Sequence, residues 1–318
     1  MTHSLTIKPL LLGSAALLFA SMASAEGMQI DTDLDEGARH TSLGDLDGDG
    51  DLDLITSAFI SDVFTVFLNR GDGTFGSGSQ IDTELDGGAW HTSLGDLNGD
   101  GDLDLITSAG ASNTFTVFLN SGDGTFGPGS QIDTDLDEFA NHTSLGDLDG
   151  DGDLDLITSA SDSNAFTVFL GEGDGTFAPG SQIDTELDLG ALHTSLGDLD
   201  GDGDLDLVTS AWFGAFTVFL GKGDGTFGPG SQIDTELDDG AAHTSLGDLD
   251  LITSAWDSHA FAVFLGNGDG TFGPGSQIDT ELDEGANHTS LGDLDGDGDL
   301  DLITSAFFSD AFTVFLTD

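Results

Sequence analysis

His40-Thr41-Ser42-Leu43-Gly44-Asp45-Leu46-Asp47-Gly48-Asp49-Gly50-Asp51-Leu52-Asp53-Leu54-Ile55-Thr56-Ser57-Ala58 is the stretch on which the reading of this 318-residue chain turns. It opens as an extended segment, passes through an acidic loop punctuated by glycine, and resumes as an apolar, β-branched run, the pattern of strand, loop and strand. The same text returns. Its leading His-Thr-Ser-Leu-Gly-Asp recurs at His40, His91, His142, His193, His243 and His288, at spacings of 51, 51, 51, 50 and 45 residues. A period of this length without a linker or compositional break marks one repeat array, and residues 26–318 are read as a single six-copy domain.

Outward from that stretch, each copy holds four segments of strand character and none of helical periodicity. In the first copy these are His40 to Gly44, Leu52 to Ala58, Phe64 to Leu68 and Ser79 to Glu84. The third segment, Phe-Thr-Val-Phe-Leu, is bulky on both faces, as a sheet sandwiched between neighbours requires. Gly71-Asp72-Gly73-Thr74-Phe75 supplies the Asp-Gly pair of a tight hairpin between the third and fourth strands. The predicted fold is all-β, a propeller of four-stranded antiparallel blades. Met28 to Leu34 (MQIDTDL) matches the fourth-strand text SQIDTEL, whereas the last copy stops after its third strand. The N-terminal strand is therefore expected to complete blade six and close a six-bladed ring, which removes free sheet edges.

The loop from Asp45 to Asp53 places oxygen ligands at alternate positions 1, 3, 5, 7 and 9 around a glycine at position 6. Calcium takes six to eight hard oxygen ligands, position 7 can offer its backbone carbonyl, and glycine permits the sharp turn. The candidate ligands are Asp45, Asp47, Asp49, Asp51 and Asp53 in the first copy and Asp96, Asn98, Asp100, Asp102 and Asp104 in the second. They continue as Asp147, Asp149, Asp151, Asp153 and Asp155; as Asp198, Asp200, Asp202, Asp204 and Asp206; and as Asp293, Asp295, Asp297, Asp299 and Asp301. Magnesium would keep more water than so many carboxylates allow, and sulfur for soft metals is missing. The bland reading is a set of acidic hairpin turns. The fifth copy lacks six residues of this text, leaving Asp248 and Asp250 without a loop, so about five calcium sites are expected. Because the loss is even, side-chain alternation survives and a short turn through Gly247 to Leu251 can keep the strands in register.

These residues give the unit its resemblance to the FG-GAP, or VCBS, repeat of integrin α-subunit propellers and exported bacterial proteins. The Gly-Asp-Leu-Asp-Gly-Asp-Gly loops with their Leu-Asp-Leu continuation carry it, together with Phe75-Gly76, Phe126-Gly127, Phe227-Gly228 and Phe272-Gly273. The resemblance implies calcium in the hairpins between strands one and two, and ligand binding, often to proteins or sugars, on the opposite face. The chain departs from the integrin type in having six units instead of seven and in lacking one metal loop.

Composition narrows the setting. Lys8, an apolar run from Pro9 to Ala20 and Ala23-Ser24-Ala25 read as a secretory signal over residues 1–25. The run is too short for a membrane span, at about 12 residues against the roughly 20 required. With no cysteine to carry a disulfide or lipid, the expected product is soluble, and secreted or periplasmic. The formal net charge of −56 excludes nucleic acid and anionic membrane surfaces as partners. Disorder is the plain reading of such charge, but 23 phenylalanines recurring with the repeat argue for a packed core.

Strand connectivity puts the loops joining strands one to two and three to four on one rim and the other two loop sets on the opposite rim. Differences among the copies gather on this second rim, which carries Trp90, Trp212, Phe213, Trp256, Phe307 and Phe308 as candidate contacts for an extracellular carbohydrate or protein. The alternative is that these aromatics cover the ends of the core. The six repeat histidines begin the innermost strands, as a structural hydrogen-bonding set or a metal or anion site. Arg70-Gly71-Asp72 spells an adhesion tripeptide, but Arg70 stands where the other turns carry Ser121, Glu172, Lys222 and Asn267, so chance accounts for it. Ser, His and Asp occur in every copy, so no asymmetric catalytic constellation stands out and no catalytic residue is assigned. Three functions remain in view: a binding or adhesion module, a polysaccharide-cleaving enzyme, and a structural matrix protein.

Overall fold

The computed structural model describes residues 38–58, 62–71, 74–82, 89–109, 113–133, 140–160, 165–184, 193–210, 215–234, 241–247, 250–255, 260–279, 286–292, 301–306 and 312–315. The expected signal segment, residues 1–25, and the expected closing strand, Met28 to Leu34, lie outside them. Among the described residues, five four-stranded sheets and one three-stranded sheet follow one another along the chain, each a meander in which consecutive strands pair antiparallel. In the first copy the strands are Ala38–Gly44, Asp53–Ala58, Val63–Phe67 and Ser79–Asp82. The first strand starts two residues before the expected boundary, past a register shift between Ala38 and Thr41. The fourth strand is described only as far as Asp82.

Packing between sheets explains the apolar code. Leu46, Ile55, Phe64 and Val66 of the first copy form one core cluster with Leu105 and Phe118 of the second. Leu97, Ile106, Phe115 and Val117 of the second do the same with Leu156 and Phe169 of the third. Along the third strand, then, Phe64 and Val66 face the following blade, and the residue equivalent to Phe67 faces the preceding one. The phenylalanines meet edge to face across the seam, with Phe64 and Phe118 centroids 5.3 Å apart. Phe64, Phe115, Phe166 and Phe216 have no exposed surface, and each such side chain contributes roughly 1.5–3 kcal/mol through burial. The fourth strand is outermost, with Ser79, Gln80 and Asp82 exposed.

Two sequence expectations are refined. The connection between strands three and four is wider than a two-residue hairpin. Asn120 bridges Phe126, the Ser121 amide donates to the Thr125 carbonyl, and Gly122 and Gly124 both adopt positive φ, 76° and 73°. In the fifth copy the shortened hairpin keeps register, pairing Gly247 directly with Asp250 and Leu246 with Leu251. The first strands of successive copies neighbour one another, which makes them the innermost strands of the array. This is the layout of a β-propeller.

Candidate metal centre

The acidic loop is anchored at both ends by burial. Leu46, at position 2, is 1% exposed within the inter-blade core. Asp53, at position 9, is fully buried at the start of the second strand. Its Oδ2 accepts the Leu46 amide at 2.8 Å and its Oδ1 accepts the Asn69 amide at 2.7 Å, so one carboxylate ties the loop to the end of the third strand. Asp45 draws the loop around itself, accepting the Gly48 amide at 2.8 Å and the Gly50 amide at 3.0 Å. Gly48 and Gly50 adopt φ of 73° and 92°, the left-handed turn for which glycine is suited.

This folding gathers part of the expected ligand set. Asp45, Asp47 and Asp53 each bring a carboxylate oxygen within 4.8 Å of the others, as do Asp147, Asp149 and Asp155, and Asp198, Asp200 and Asp206. Positions 1, 3 and 9 therefore converge. At position 5, Asp49, Asp151 and Asp202 are exposed beside the triads, each accepting the amide of the residue two further on at 2.9 Å. At position 7 the side chain turns elsewhere. A Cβ on Gly71 would collide with the Asp51 carboxylate, and one on Gly122 would lie 2.5 Å from that of Asp102; Asp153 and Asp204 crowd Gly173 and Gly223 in the same way. Position 7 thus presses against the turn between strands three and four. In the second copy Asp96 accepts the Gly99 and Gly101 amides, Asn98 Oδ1 accepts the Asp100 amide at 2.9 Å, Asp100 accepts that of Asp102, and Asp104 is buried. Asp293, Asp295, Asp297 and Asp299 lie outside the described residues, and Asp301 begins a strand opposite Gly292.

Burial and acidic neighbours together shift several of these carboxylates. Desolvation raises the carboxyl pKa of Asp47, with repulsion from Asp49, Asp53 and Asp45 adding to it. Asp104, Asp155 and Asp206 are raised chiefly by burial, with smaller additions from acidic neighbours, against the lowering effect of backbone amides. The donor set is all oxygen, which suits a hard divalent cation such as calcium. Of the described side chains of basic residues, Lys222 donates to the Phe227 carbonyl and Arg70 lies 3.5 Å from the Thr74 hydroxyl.

Two features were missed in the sequence. Asp250, in the copy without a loop, accepts the Gly266 amide at 2.9 Å, as Asp53 accepts that of Asn69. The survival of an aspartate before Leu-Ile-Thr in the shortened copy signals a structural role apart from any metal. The histidines also form a stepped stack: successive rings of His40, His91, His142 and His193 lie 4.1, 4.0 and 3.9 Å apart. The hydrogen-bonding role expected of them is present: each is tied through Nδ1 to the threonine of the next blade, His40 to Thr92 at 3.0 Å and His142 to Thr194 at 3.0 Å. Of the candidate rim aromatics, Trp90 is half-buried in the strand Ala89–Gly95, not in a loop; Trp212, Phe213, Trp256, Phe307 and Phe308 lie outside the described residues.

Among solved structures, the chain is similar to a protein from Lactobacillus plantarum, with a TM-score of 0.72, 15% identity, and coverage of 94% of this chain and 86% of that one. It is similar to an Agrocybe aegerita lectin, described by its specific recognition of non-reducing terminal N-acetylglucosamine, with a TM-score of 0.62, 23% identity, and coverage of 84% and 74%. It is also similar to BBS1N in its complex with ARL6DN, with a TM-score of 0.60, 12% identity, and coverage of 86% and 78%. At these identities the likeness is one of fold. No curated protein matches the sequence. Among the described residues no helix is long and apolar enough to cross a membrane. The FG-GAP-like repeat model matches residues 45–107, 106–158, 147–209, 198–251 and 247–304, each segment running from one copy into the next. With the repeat matched from Asp45 to Thr304, the chain belongs to the FG-GAP-like repeat family.

Proposed function

We propose that this is an exported calcium-binding propeller that works by binding an extracellular carbohydrate or protein, without catalysis of its own. The observation that carries the calcium reading is the convergence of positions 1, 3 and 9 in three separate copies. Two like charges about 4–5 Å apart repel by about 1 kcal/mol in bulk water and about 3–4 kcal/mol at an effective dielectric constant near 20. A fold that repeats such a cost in copy after copy is best understood with a divalent cation offsetting it. The loops hold the ligands; the opposite rim, where the copies differ, holds the partner. The Agrocybe aegerita lectin, described as recognising a terminal sugar, and the BBS1N complex with ARL6DN support a recognition role for the architecture.

The test is a screen of the purified protein against glycans and matrix proteins, with calcium and with chelator, beside assays for glycan cleavage. Alanine at Trp212 and Trp256 is expected to abolish binding to the partner found while calcium uptake is retained. Cleavage of a glycan would favour the enzyme reading. A melting temperature unmoved by chelator would reduce the loops to acidic turns.

A further inference from the structure

Besides packing Leu46 or its counterpart into the inter-blade core, the acidic loops of the first four copies make one recurring backbone hydrogen bond to the next blade. The Leu46 carbonyl accepts the Gly124 amide at 2.9 Å, and the same contact recurs from Gly175 to Leu97 at 2.9 Å, from Gly225 to Leu148 at 3.0 Å and from Gly270 to Leu199 at 3.1 Å. The donor is always the second glycine of the turn between strands three and four in the following copy. Its placement is tight: φ at Gly124 is +73°, and a Cβ there would lie 2.7 Å from Leu68 Cδ2 of the preceding blade. In the second copy Asn120 adds a bond from Nδ2 to the same Leu46 carbonyl at 2.9 Å.

Leu46 is also the residue whose amide bonds the buried member of the carboxylate triad, Asp53 Oδ2, at 2.8 Å. One peptide segment thus faces the cation site with its N–H and the neighbouring blade with its C=O. We propose that each cation loop is a fastener between its own blade and the next, coupling occupancy to the seam through Asp53, Leu46 and the amide of Gly124. A cation drawing Asp45, Asp47 and Asp53 together holds Leu46 in the position that receives Gly124. An empty, self-repelling loop releases it, and the seam opens locally. Because each loop serves only the seam after it, the array is fastened joint by joint. The fifth copy lacks six residues of the loop text, so the coupling is assigned to the loops of the first four copies.

The inference rests on the calcium reading, and the experiment separates the two. In the full protein at about 10 mM calcium, amide hydrogen exchange of Gly124, Gly175, Gly225 and Gly270 is compared between wild type and Asp47→Ala. Asp47 is chosen because its one backbone contact, from the Asp49 amide at 3.3 Å, lies within the loop. For sites with dissociation constants of roughly 10⁻⁴ to 10⁻³ M, loss of occupancy is expected to speed exchange at Gly124 by roughly 10- to 100-fold, with the other three amides unchanged. Calcium stoichiometry is measured on the same samples. Loss of one equivalent with Gly124 still protected would overturn the coupling and leave the calcium reading standing, as would equal loss at all four amides. Unchanged stoichiometry would overturn the calcium reading of that loop. Should Asp47→Ala fail to fold, wild-type calcium titration serves: the four glycine amides are expected to gain protection ahead of strand-interior amides such as that of Thr56, and a uniform gain would overturn the proposal.

Discussion

Asp155→Ala and Asp250→Ala form a matched pair that separates structural from metal-binding roles of the same repeat position. Asp155 is 1% exposed and accepts two amides, Leu148 at 2.7 Å and Gly171 at 2.7 Å. It is also the buried member of a carboxylate triad. Alanine leaves two donors unsatisfied, at roughly 1–3 kcal/mol each, so a loss of about 2–6 kcal/mol is expected in chelator. In about 10 mM calcium the same substitution is expected to cost a further 1.4–2.7 kcal/mol or so, the linkage contribution of one site with a dissociation constant of roughly 10⁻³ to 10⁻⁴ M. Asp250 accepts the Gly266 amide in a copy without the loop, so its replacement is expected to cost about 1–3 kcal/mol, equally with and without calcium. Urea unfolding of the three proteins in both conditions measures all four differences. A calcium-independent cost for Asp155→Ala would refute the metal role of position 9, and a cost well below 1 kcal/mol in chelator would refute the hydrogen-bonding argument.

Gly124→Ala must combine left-handed strain with a clash on Leu68, whereas Gly48 has the same φ of +73° and open space around its Cβ position; thermal melts should show a loss of roughly 2–5 kcal/mol for the first and about 1–2 kcal/mol for the second. The Thr125 hydroxyl and amide hold the Asp123 pKa below the usual carboxylate value, so this group favours the fold above the ordinary carboxylate range and loses that effect as pH falls through its depressed pKa. Thr125→Val should raise the Asp123 pKa toward normal, read by NMR titration of the carboxyl carbon. Deletion of Met28 to Leu34 should leave blade six one strand short and drive aggregation or strand-exchanged dimers in size-exclusion chromatography; a monomer of unchanged melting temperature would contradict closure by that strand.

The repeat, the four strands per copy and the class of fold were legible because each is a local pattern: alternation, apolar runs and glycine-rich punctuation recurring at a fixed interval. The third strand even announced its two buried faces, since Phe64 and Phe67 point to opposite sides of one sheet and both are apolar. The acidic loop was legible as a set of oxygens at alternate positions. Which of them converge was not. That depends on the burial of Leu46 and Asp53, which turns positions 1, 3 and 9 together and leaves the position 7 carboxylate against the glycine of a turn some twenty residues away. The shared role of Asp53 and Asp250 was likewise hidden, because its hydrogen-bond partner comes from the end of the third strand. The contact from Gly124 to Leu46 and the stacking of His40 on His91 join residues in different copies. A repeat unit read alone states what each blade is made of; how one blade grips the next arises only when two copies pack, since each bond at the seam joins a backbone or side-chain group of one copy to a partner about 50 to 80 residues away in the next.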